Sequence, residues 1–183
     1  MKKFSSNSSD DTLNMNDFSD KSRNHFINVG EFYFSDEACF IHTILGSCIA
    51  ITLWHPILKV GGMCHFVLPR RLESNVEPHQ IKQQNGRYSD GAMALFEEQA
   101  QKRGTALRDY QGKIFGGSNM LSISSLNEDE SVGMKNTEAA MKQLSQRGIP
   151  ILVAHVGETG QRRIAFNVSN GDVWVKHTPL PKV

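Results

Sequence analysis

The chain has 183 residues and a nearly balanced charge, with 20 Lys and Arg against 19 Asp and Glu. This length predicts one domain with a short appendage and a core of useful size. The balanced charge, without a dense basic run, argues against nucleic-acid binding. Three cysteines cannot all pair, which indicates a reducing compartment. With no signal-peptide core and no apolar run near ~20 residues, we expect a cytoplasmic protein without membrane insertion.

Residues 1–25 are rich in Ser, Asn and Asp and poor in apolar residues. Such a segment buries too little surface to offset its ordering entropy, so we predict a disordered tail, either dispensable or used for docking and regulation. The folded domain is expected over residues 26–183. Alternating and apolar runs predict its first four strands, at 26–34, 39–45, 49–54 and 60–68.

Residues 70–87 are polar and aperiodic, which predicts a long mobile loop. A helix is expected over 90–102, with Ala92, Phe96 and Ala100 on one face and Gly104 as its stop. A short strand at 112–115 enters the turn 116–119. A second helix is expected over 136–147, with Asn136 as N-cap. Its predicted inner face comprises Ala140, Met141 and Leu144.

The last third of the chain looks all β. An apolar strand is predicted at 151–154, and two alternating strands at 163–168 and 172–176 flank a hairpin turn at 169–171. Strands outnumber helices and occur in runs rather than in strict βαβ alternation. This pattern favours an α+β fold, a layered sandwich of mixed or antiparallel β-sheets flanked by helices.

Cys48 follows Gly46 and Ser47 between two strongly apolar strands. Gly46 permits a tight turn, and a nucleophile on such a turn is exposed on one side and flanked by the backbone N–H groups that an oxyanion needs. Free cysteines also pack commonly in cores. The spacing alone therefore leaves both a nucleophile and a packing residue open.

His65 lies on the fourth predicted strand, where the alternation that turns Cys64 and Phe66 toward the core turns His65 to the opposite side. There it can reach Cys48 and take its proton, since the thiolate is the reactive species. A hydrogen-bonded sheet histidine is the alternative. Because Cys64 and His65 point apart, and no Cys-x-x-Cys or His-x-x-x-His pair exists, we expect no metal site.

At these residues the chain resembles a known family. Thr-Ile-Leu-Gly-Ser-Cys at 43–48, followed by Gly-Gly-Met-Cys-His-Phe-Val-Leu-Pro at 61–69, closely resembles the hallmark of the CheD chemoreceptor glutamine deamidases. The resemblance continues in order through 87–93, 113–120, 132–136 and the last hairpin, so that it spans nearly the whole chain beyond the tail. Cys64 stands where the family more often has a polar residue, and we expect it only to pack.

The resemblance implies a CheD-like cysteine hydrolase fold in which Cys48 is the nucleophile, His65 the general base and Thr43 the residue that orients the histidine. His42, beside Thr43, is an alternative for that last role. No metal or organic cofactor is implied. The turn 116–119 has little bulk and suits close approach to a ligand or to the catalytic strand, or serves folding alone. The predicted substrate-binding residues are Ser47, Gly116, Gly117, Ser118 and Asn119.

The implied substrates are methyl-accepting chemoreceptors, in whose cytoplasmic region conversion of Gln to Glu creates methylation sites and changes the signalling bias. A CheC-type phosphatase is a further implied partner. Two alternatives remain open at this point. One is a non-catalytic adaptor of the same fold that binds receptors or CheC, and the other is a different cysteine hydrolase, such as a peptidase or a toxin-type deamidase.

Overall fold

The computed structural model describes residues 1–5, 23–69, 85–120 and 131–181. Within these ranges the chain forms ten strands and two α-helices. Their bounds are β1 Lys2–Phe4, β2 Asn24–Phe26, β3 Phe32–Ser35, β4 Phe40–Leu45, β5 Ile49–His55, β6 Val60–Phe66, α1 Ser89–Lys102, β7 Gln111–Gly116, α2 Val132–Gln146, β8 Ile151–Val156, β9 Gln161–Asn167 and β10 Val173–Thr178. Short 3₁₀ turns occupy Asn85–Arg87 and Leu107–Asp109.

The strands form two mixed sheets of five strands each. The first sheet has the order β1-β10-β9-β4-β2 and the second the order β3-β6-β5-β7-β8. One neighbouring pair in each sheet is parallel, β2 with β4 and β7 with β8, and the other pairs are antiparallel. Both helices pack on the second sheet. The expected α+β layered sandwich is therefore confirmed, with the second sheet in the middle layer.

The central strands β5 and β6 are buried along their whole length. Alternation divides β5 between two cores: Ile49, Ile51 and Leu53 pack toward the helices, while Ala50 and Trp54 pack toward the first sheet. Because both faces of the middle sheet are covered, its strands read as nearly continuous apolar runs in the sequence. The site described below lies in the space between the two sheets.

The strand predicted over 26–34 is wrong as a single element. The chain turns at residues 27–31, where Gly30 has a φ of +86° that non-glycine residues rarely adopt. The result is two short strands in different sheets, β2 paired with β4 and β3 paired with β6. The other predicted strands and the last hairpin are confirmed, with bounds that differ by up to two residues.

Helix α1 is confirmed, with Ala92, Met93, Phe96 and Ala100 buried. Helix α2 begins four residues before its predicted start. Ser131 is the N-cap, and its Oγ accepts the N–H of Met134 at 3.1 Å. Asn136 is thus not a cap but a buried residue of the helix interior. The predicted inner face is also corrected, because Met141 is 38% exposed whereas Ala140 and Leu144 are buried.

The prediction of disorder over residues 1–25 is wrong at both ends of that segment. Strand β1 forms the edge of the first sheet against β10, and β2 begins at Asn24. The buried ammonium of Lys113 donates to the carbonyl of Phe4 at 2.8 Å and holds β1 in place. Residues 6–22, and residues 70–84 of the predicted long loop, lie outside the described residues. Neither helix of the described part of the chain combines the length and apolar character needed to cross a membrane.

Candidate active site

Residues 46–48 carry the chain from one sheet to the other. Strand β4 ends at Leu45 in the first sheet and β5 begins at Ile49 in the second. The crossing is short, because only Gly46, Ser47 and Cys48 join the two apolar strands. A side chain at Gly46 would press against Met120. Cys48 therefore sits where the two layers of the sandwich meet.

Three donors from elsewhere in the chain hold the carbonyl groups of this turn. The N–H of Ser118 donates to Gly46 at 2.9 Å, and the N–H of Gly117 donates to Cys48 at 2.9 Å. The side-chain amide of Asn136 donates to Ser47 at 3.1 Å. Because these three hydrogen bonds fix its carbonyl groups, the turn is a rigid support for Cys48.

Thr43 and His65 meet across the sandwich, Thr43 from β4 in the first sheet and His65 from β6 in the second. The Thr43 hydroxyl donates to the carbonyl of Ile27 at 2.7 Å, and its oxygen lies 2.8 Å from Nδ1 of His65. Because the hydroxyl proton is used on Ile27, the oxygen serves as an acceptor, so Nδ1 of His65 carries a proton. This arrangement fixes the tautomer and leaves the lone pair on Nε2.

Nε2 of His65 is buried and makes no hydrogen bond with any residue in the described ranges, Cys48 included. Burial lowers the pKa of His65 from 6.5 to about 4, although the charge of Glu31 acts in the opposite direction. The imidazole is therefore neutral at physiological pH. A neutral imidazole with an unused, desolvated lone pair is a competent proton acceptor.

Cys48 is half-buried and packs with the residues between the two sheets. Ile49 pairs with Phe66 and Ala50 with His65, so Cys48 lies one step beyond the end of this ladder, diagonal to His65 and on the same face. Diagonal neighbours of this kind are within reach of long side chains. Burial raises the pKa of the Cys48 thiol, and its own backbone N–H opposes that rise. Thiol and imidazole are thus both uncharged in the resting site.

The remaining candidates from the sequence divide clearly. His42 is excluded as the orienting residue because alternation along β4 turns it away from Thr43; its Nε2 lies 2.6 Å from Oδ1 of Asn24, and its ring stacks on Phe26. Cys64 is fully buried among the residues that face the helices, and burial raises the pKa of its thiol to about 12. It packs, as expected.

The predicted substrate-binding residues differ in their surroundings. Ser118 is fully buried and its hydroxyl accepts from a guanidinium nitrogen of Arg162, so its side chain supports the turn, and its contact with the substrate stays a prediction. Gly116 and Gly117 are buried against the backbone of Cys48 and helix α2. Their small size thus serves close approach to the catalytic strand, one of the stated alternatives. Ser47 and Asn119 are half-buried, and their substrate contacts stay predictions.

Two residues that contribute to the site were missed in the sequence. Asn136 was assigned to a helix cap, and Arg162, just before the strand predicted at 163–168, was given no role. Arg162 is completely buried and donates to the Nδ1 of His155 at 2.9 Å and to the carbonyl of Gly157 at 2.8 Å. In each case the only signal in the sequence was a polar residue at an inward-facing position. For Asn136 that position follows from the correct helix start, and for Arg162 from the correct strand register.

No group of three His, Cys, Asp or Glu side chains that could hold a metal ion occurs within the described ranges. The chemistry that the arrangement supports is proton removal from a thiol by an imidazole, followed by attack of sulfur on an electrophilic carbon. Such a nucleophile–base–orienter set is typical of covalent acyl transfer.

The sequence is similar to those of known proteins over most of its length. The family model described as "CheD chemotactic sensory transduction" matches residues 67–177, a range that begins just after His65. A protein of Albidiferax ferrireducens named "Probable chemoreceptor glutamine deamidase CheD 2" is 42% identical over 156 residues, which cover 85% of this chain and 87% of the relative. A "Probable chemoreceptor glutamine deamidase CheD" of Pseudomonas syringae pv. tomato is 39% identical, with 82% and 87% covered.

A further relative, from Dechloromonas aromatica and named "Probable chemoreceptor glutamine deamidase CheD 3", is 39% identical and covers 82% of this chain and 85% of its own length. Among solved structures, the Bacillus licheniformis hypothetical protein YfiH aligns with a TM-score of 0.38 and 12% identity. That alignment covers 67% of this chain and 49% of that chain.

Proposed function

This chain belongs to the CheD family, and from that membership we propose that it is a hydrolase that converts glutamine side chains of chemoreceptors to glutamate through a thioester on Cys48. The names of its relatives support the amide hydrolysis and the receptor substrate. The observation that carries the choice of residues is the hydrogen bond between Thr43 and Nδ1 of His65. It leaves the lone pair of Nε2 in the inter-sheet space that Cys48 also borders.

In the first half-reaction, Nε2 of His65 accepts the thiol proton while the sulfur of Cys48 forms a bond to the carboxamide carbon of the substrate. The carbonyl oxygen becomes an oxyanion, and backbone N–H groups at the Cys48 turn are the proposed donors to it. The tetrahedral intermediate then collapses. The carbon–nitrogen bond breaks, the imidazolium gives its proton to the leaving nitrogen, and ammonia departs from a thioester.

In the second half-reaction, His65 takes a proton from water as the water oxygen attacks the thioester carbon. The carbon–sulfur bond breaks, the proton returns from His65 to the sulfur, and a glutamate side chain is released. Cys48 and His65 are then back in their resting forms. Dividing one difficult hydrolysis into two easier steps is the gain that a covalent intermediate provides.

The uncharged resting pair is consistent with this order of events. Burial disfavours the imidazolium in the free site, as the pKa of about 4 for His65 indicates. During attack the imidazolium forms beside the negative charge that develops on the substrate oxygen. That favourable interaction exists in the transition state and not in the resting site. Only an interaction that is stronger in the transition state accelerates the reaction.

The decisive experiment is incubation of the full-length protein with the cytoplasmic fragment of a chemoreceptor, followed by mass spectrometry of the fragment. We expect glutamines to be converted to glutamates by the unmodified protein and not by Cys48→Ala. Cys39→Ser is the matched control, because Cys39 is also a free cysteine but lies before β4, outside the Thr43–His65–Cys48 set. We expect it to retain activity.

Each other outcome points to a different conclusion. Conversion by Cys48→Ala would reject the thioester mechanism, and backbone cleavage would identify a peptidase. Binding to the fragment without conversion by the unmodified protein would identify a non-catalytic adaptor. Trapping the thioester with hydroxylamine, which releases a hydroxamate on the receptor peptide, tests the intermediate itself.

Several finer features belong to the same proposal. The deamidase domain comprises residues 26–183 together with strands β1 and β2, the reaction takes place in the cytoplasm where receptor signalling regions lie, and Ser47 and Asn119 contact the substrate. A CheC-type phosphatase is a proposed partner. Co-purification with such a phosphatase, with and without receptor fragment, tests the last point.

A further inference from the structure

Asn136 is a polar residue in a fully buried position, where burying a polar group costs free energy. It is the fifth residue of helix α2 and is 0% exposed. An amide group taken out of water is unfavourable unless its hydrogen bonds are replaced. A residue of this kind inside the hydrophobic face of a helix therefore calls for a partner, and its partners lie in the active site.

The amide nitrogen of Asn136 donates two hydrogen bonds, to the carbonyl of Ser47 at 3.1 Å and to that of Val67 at 3.0 Å. Ser47 directly precedes Cys48, and Val67 is the second residue after His65. Because only the NH₂ group can donate to two carbonyls, the orientation of the amide is determined by its partners. Its Oδ1 has no hydrogen-bond partner among the described residues, so the two donated bonds account for its placement.

These two bonds lie where the strand ladder stops. The last paired residues of β5 and β6 are Ile49 and Phe66, and Ser47 and Val67 lie just beyond them. Two carbonyl groups cannot bond to each other, so without a donor between them the two chain segments would have no direct polar link at this level. The amide of Asn136 supplies that link.

We propose that Asn136 is a positioning residue for the deamidation, and that its amide sets the separation between the Cys48 turn and the end of the His65 strand. The inference rests on the proposed function of Cys48 and His65. Asn136 touches neither reacting atom; it acts through the backbone on either side of them. Displacement of a reacting group by about 1 Å can lower a rate on the order of 10²-fold.

Two substitutions test this. Asn136→Asp keeps the size of the side chain but replaces both donors by an oxygen that faces two carbonyls. We expect kcat to fall on the order of 10²-fold with KM nearly unchanged, because the substrate surface is not altered. Asn136→Ser is a smaller change that keeps one donor, and we expect a fall on the order of tenfold. Both kcat values are compared at equal folded protein, measured by circular dichroism.

A control and a second readout separate positioning from loss of stability. Leu144→Ala loosens the same helix about two turns further on, and we expect its kcat per folded molecule to be unchanged. The rate at which iodoacetamide alkylates Cys48 measures how well His65 activates the thiol, and the measurement needs no receptor. We expect His65→Gln to slow alkylation at least about tenfold in the unmodified background, and by less than about twofold when Asn136→Asp is also present.

The possible outcomes are distinguishable. If kcat per folded molecule stays within about threefold of the unmodified protein in both Asn136 variants, the positioning role is overturned while the proposed function stands. The same holds if His65→Gln slows alkylation equally in both backgrounds. If His65→Gln has no effect on alkylation in the unmodified background, the catalytic pair of the proposed function fails, and the role of Asn136 fails with it.

Discussion

Replacing Thr43 by valine tests the orientation of His65 most directly. Valine has nearly the shape of threonine but no hydroxyl, so the change removes the acceptor for Nδ1–H of His65 and the donor to Ile27 while filling the same space. Two buried polar groups lose their partner, at about 1–3 kcal/mol each. The added methyl group returns about 1 kcal/mol. We expect the free energy of unfolding to fall by roughly 1–5 kcal/mol.

The effect on catalysis should exceed the effect of lost stability. Without Thr43 as acceptor, the imidazole proton is free to move to Nε2, which would then lack the lone pair that the proposed mechanism uses to accept the Cys48 proton. Loss of a charged orienting group costs up to about 10⁴-fold in kcat. Because Thr43 is a neutral acceptor and its bond is weaker, we expect a decrease on the order of 10²-fold, measured as ammonia released from a receptor fragment per folded molecule.

Thr43→Ser is the matched control, since it keeps the hydroxyl and loses only a methyl group, and we expect at most a few-fold change. Nitrogen chemical shifts of His65 report the tautomer independently of turnover. A protonated Nε2 in the unmodified protein would refute the reasoning. So would a Thr43→Val variant with unchanged kcat per folded molecule and a clear loss of stability.

Three further predictions follow from burial and backbone geometry. Because burial lowers the pKa of His65 to about 4, kcat/KM should persist down to about pH 5 and fall near pH 4; an acid limb near pH 6.5 would contradict this. The unfolded chain binds a proton at His65 near pH 6.5 and the folded chain only near pH 4, so the contribution of His65 to stability is complete above pH 6.5 and is lost as the pH falls to 4. Urea titrations should show a loss of up to about 3 kcal/mol over this range, and His65→Asn should reduce it. Gly116→Ala should lower stability by at least about 3 kcal/mol, because φ is +111° and the new Cβ would overlap the carbonyl oxygen of Cys48. Gly104→Ala, at φ +65° with open space around it, should cost only about 1 kcal/mol in thermal melts.

The parts of the fold that could be predicted from the sequence are those with local causes. Strands β4 to β6 and the last hairpin follow from apolar runs and turn residues, and the side of β6 on which His65 lies follows from alternation. The start of α2 could not be predicted because Gly133 lowers the helix propensity of its first turn. A side chain at Gly133 would overlap the backbone of Gly117 and Ser118, a contact that only the tertiary structure reveals.

Long-range pairing explains the other differences. Lys2–Phe4 is too short and too polar to be a strand alone, and it becomes one by pairing with Val173–Val175 at the opposite end of the chain. The site shows the same division. Cys48 and His65 stand out in sequence motifs, whereas the role of Asn136 depends on the meeting of a helix, a turn and a strand end. Such roles depend on tertiary packing, which no local pattern encodes.

The crossing of the chain between two sheets at residues 46–48 has a consequence for folding. Thr43 and His65 are only 22 positions apart, yet their hydrogen bond forms between sheets. A collapsed intermediate in which each sheet has formed but the two have not docked would therefore carry an ordinary, solvent-exposed Cys48 thiol. The alkylation rate of that thiol, measured in pulses during refolding, would therefore report the time at which the two sheets dock.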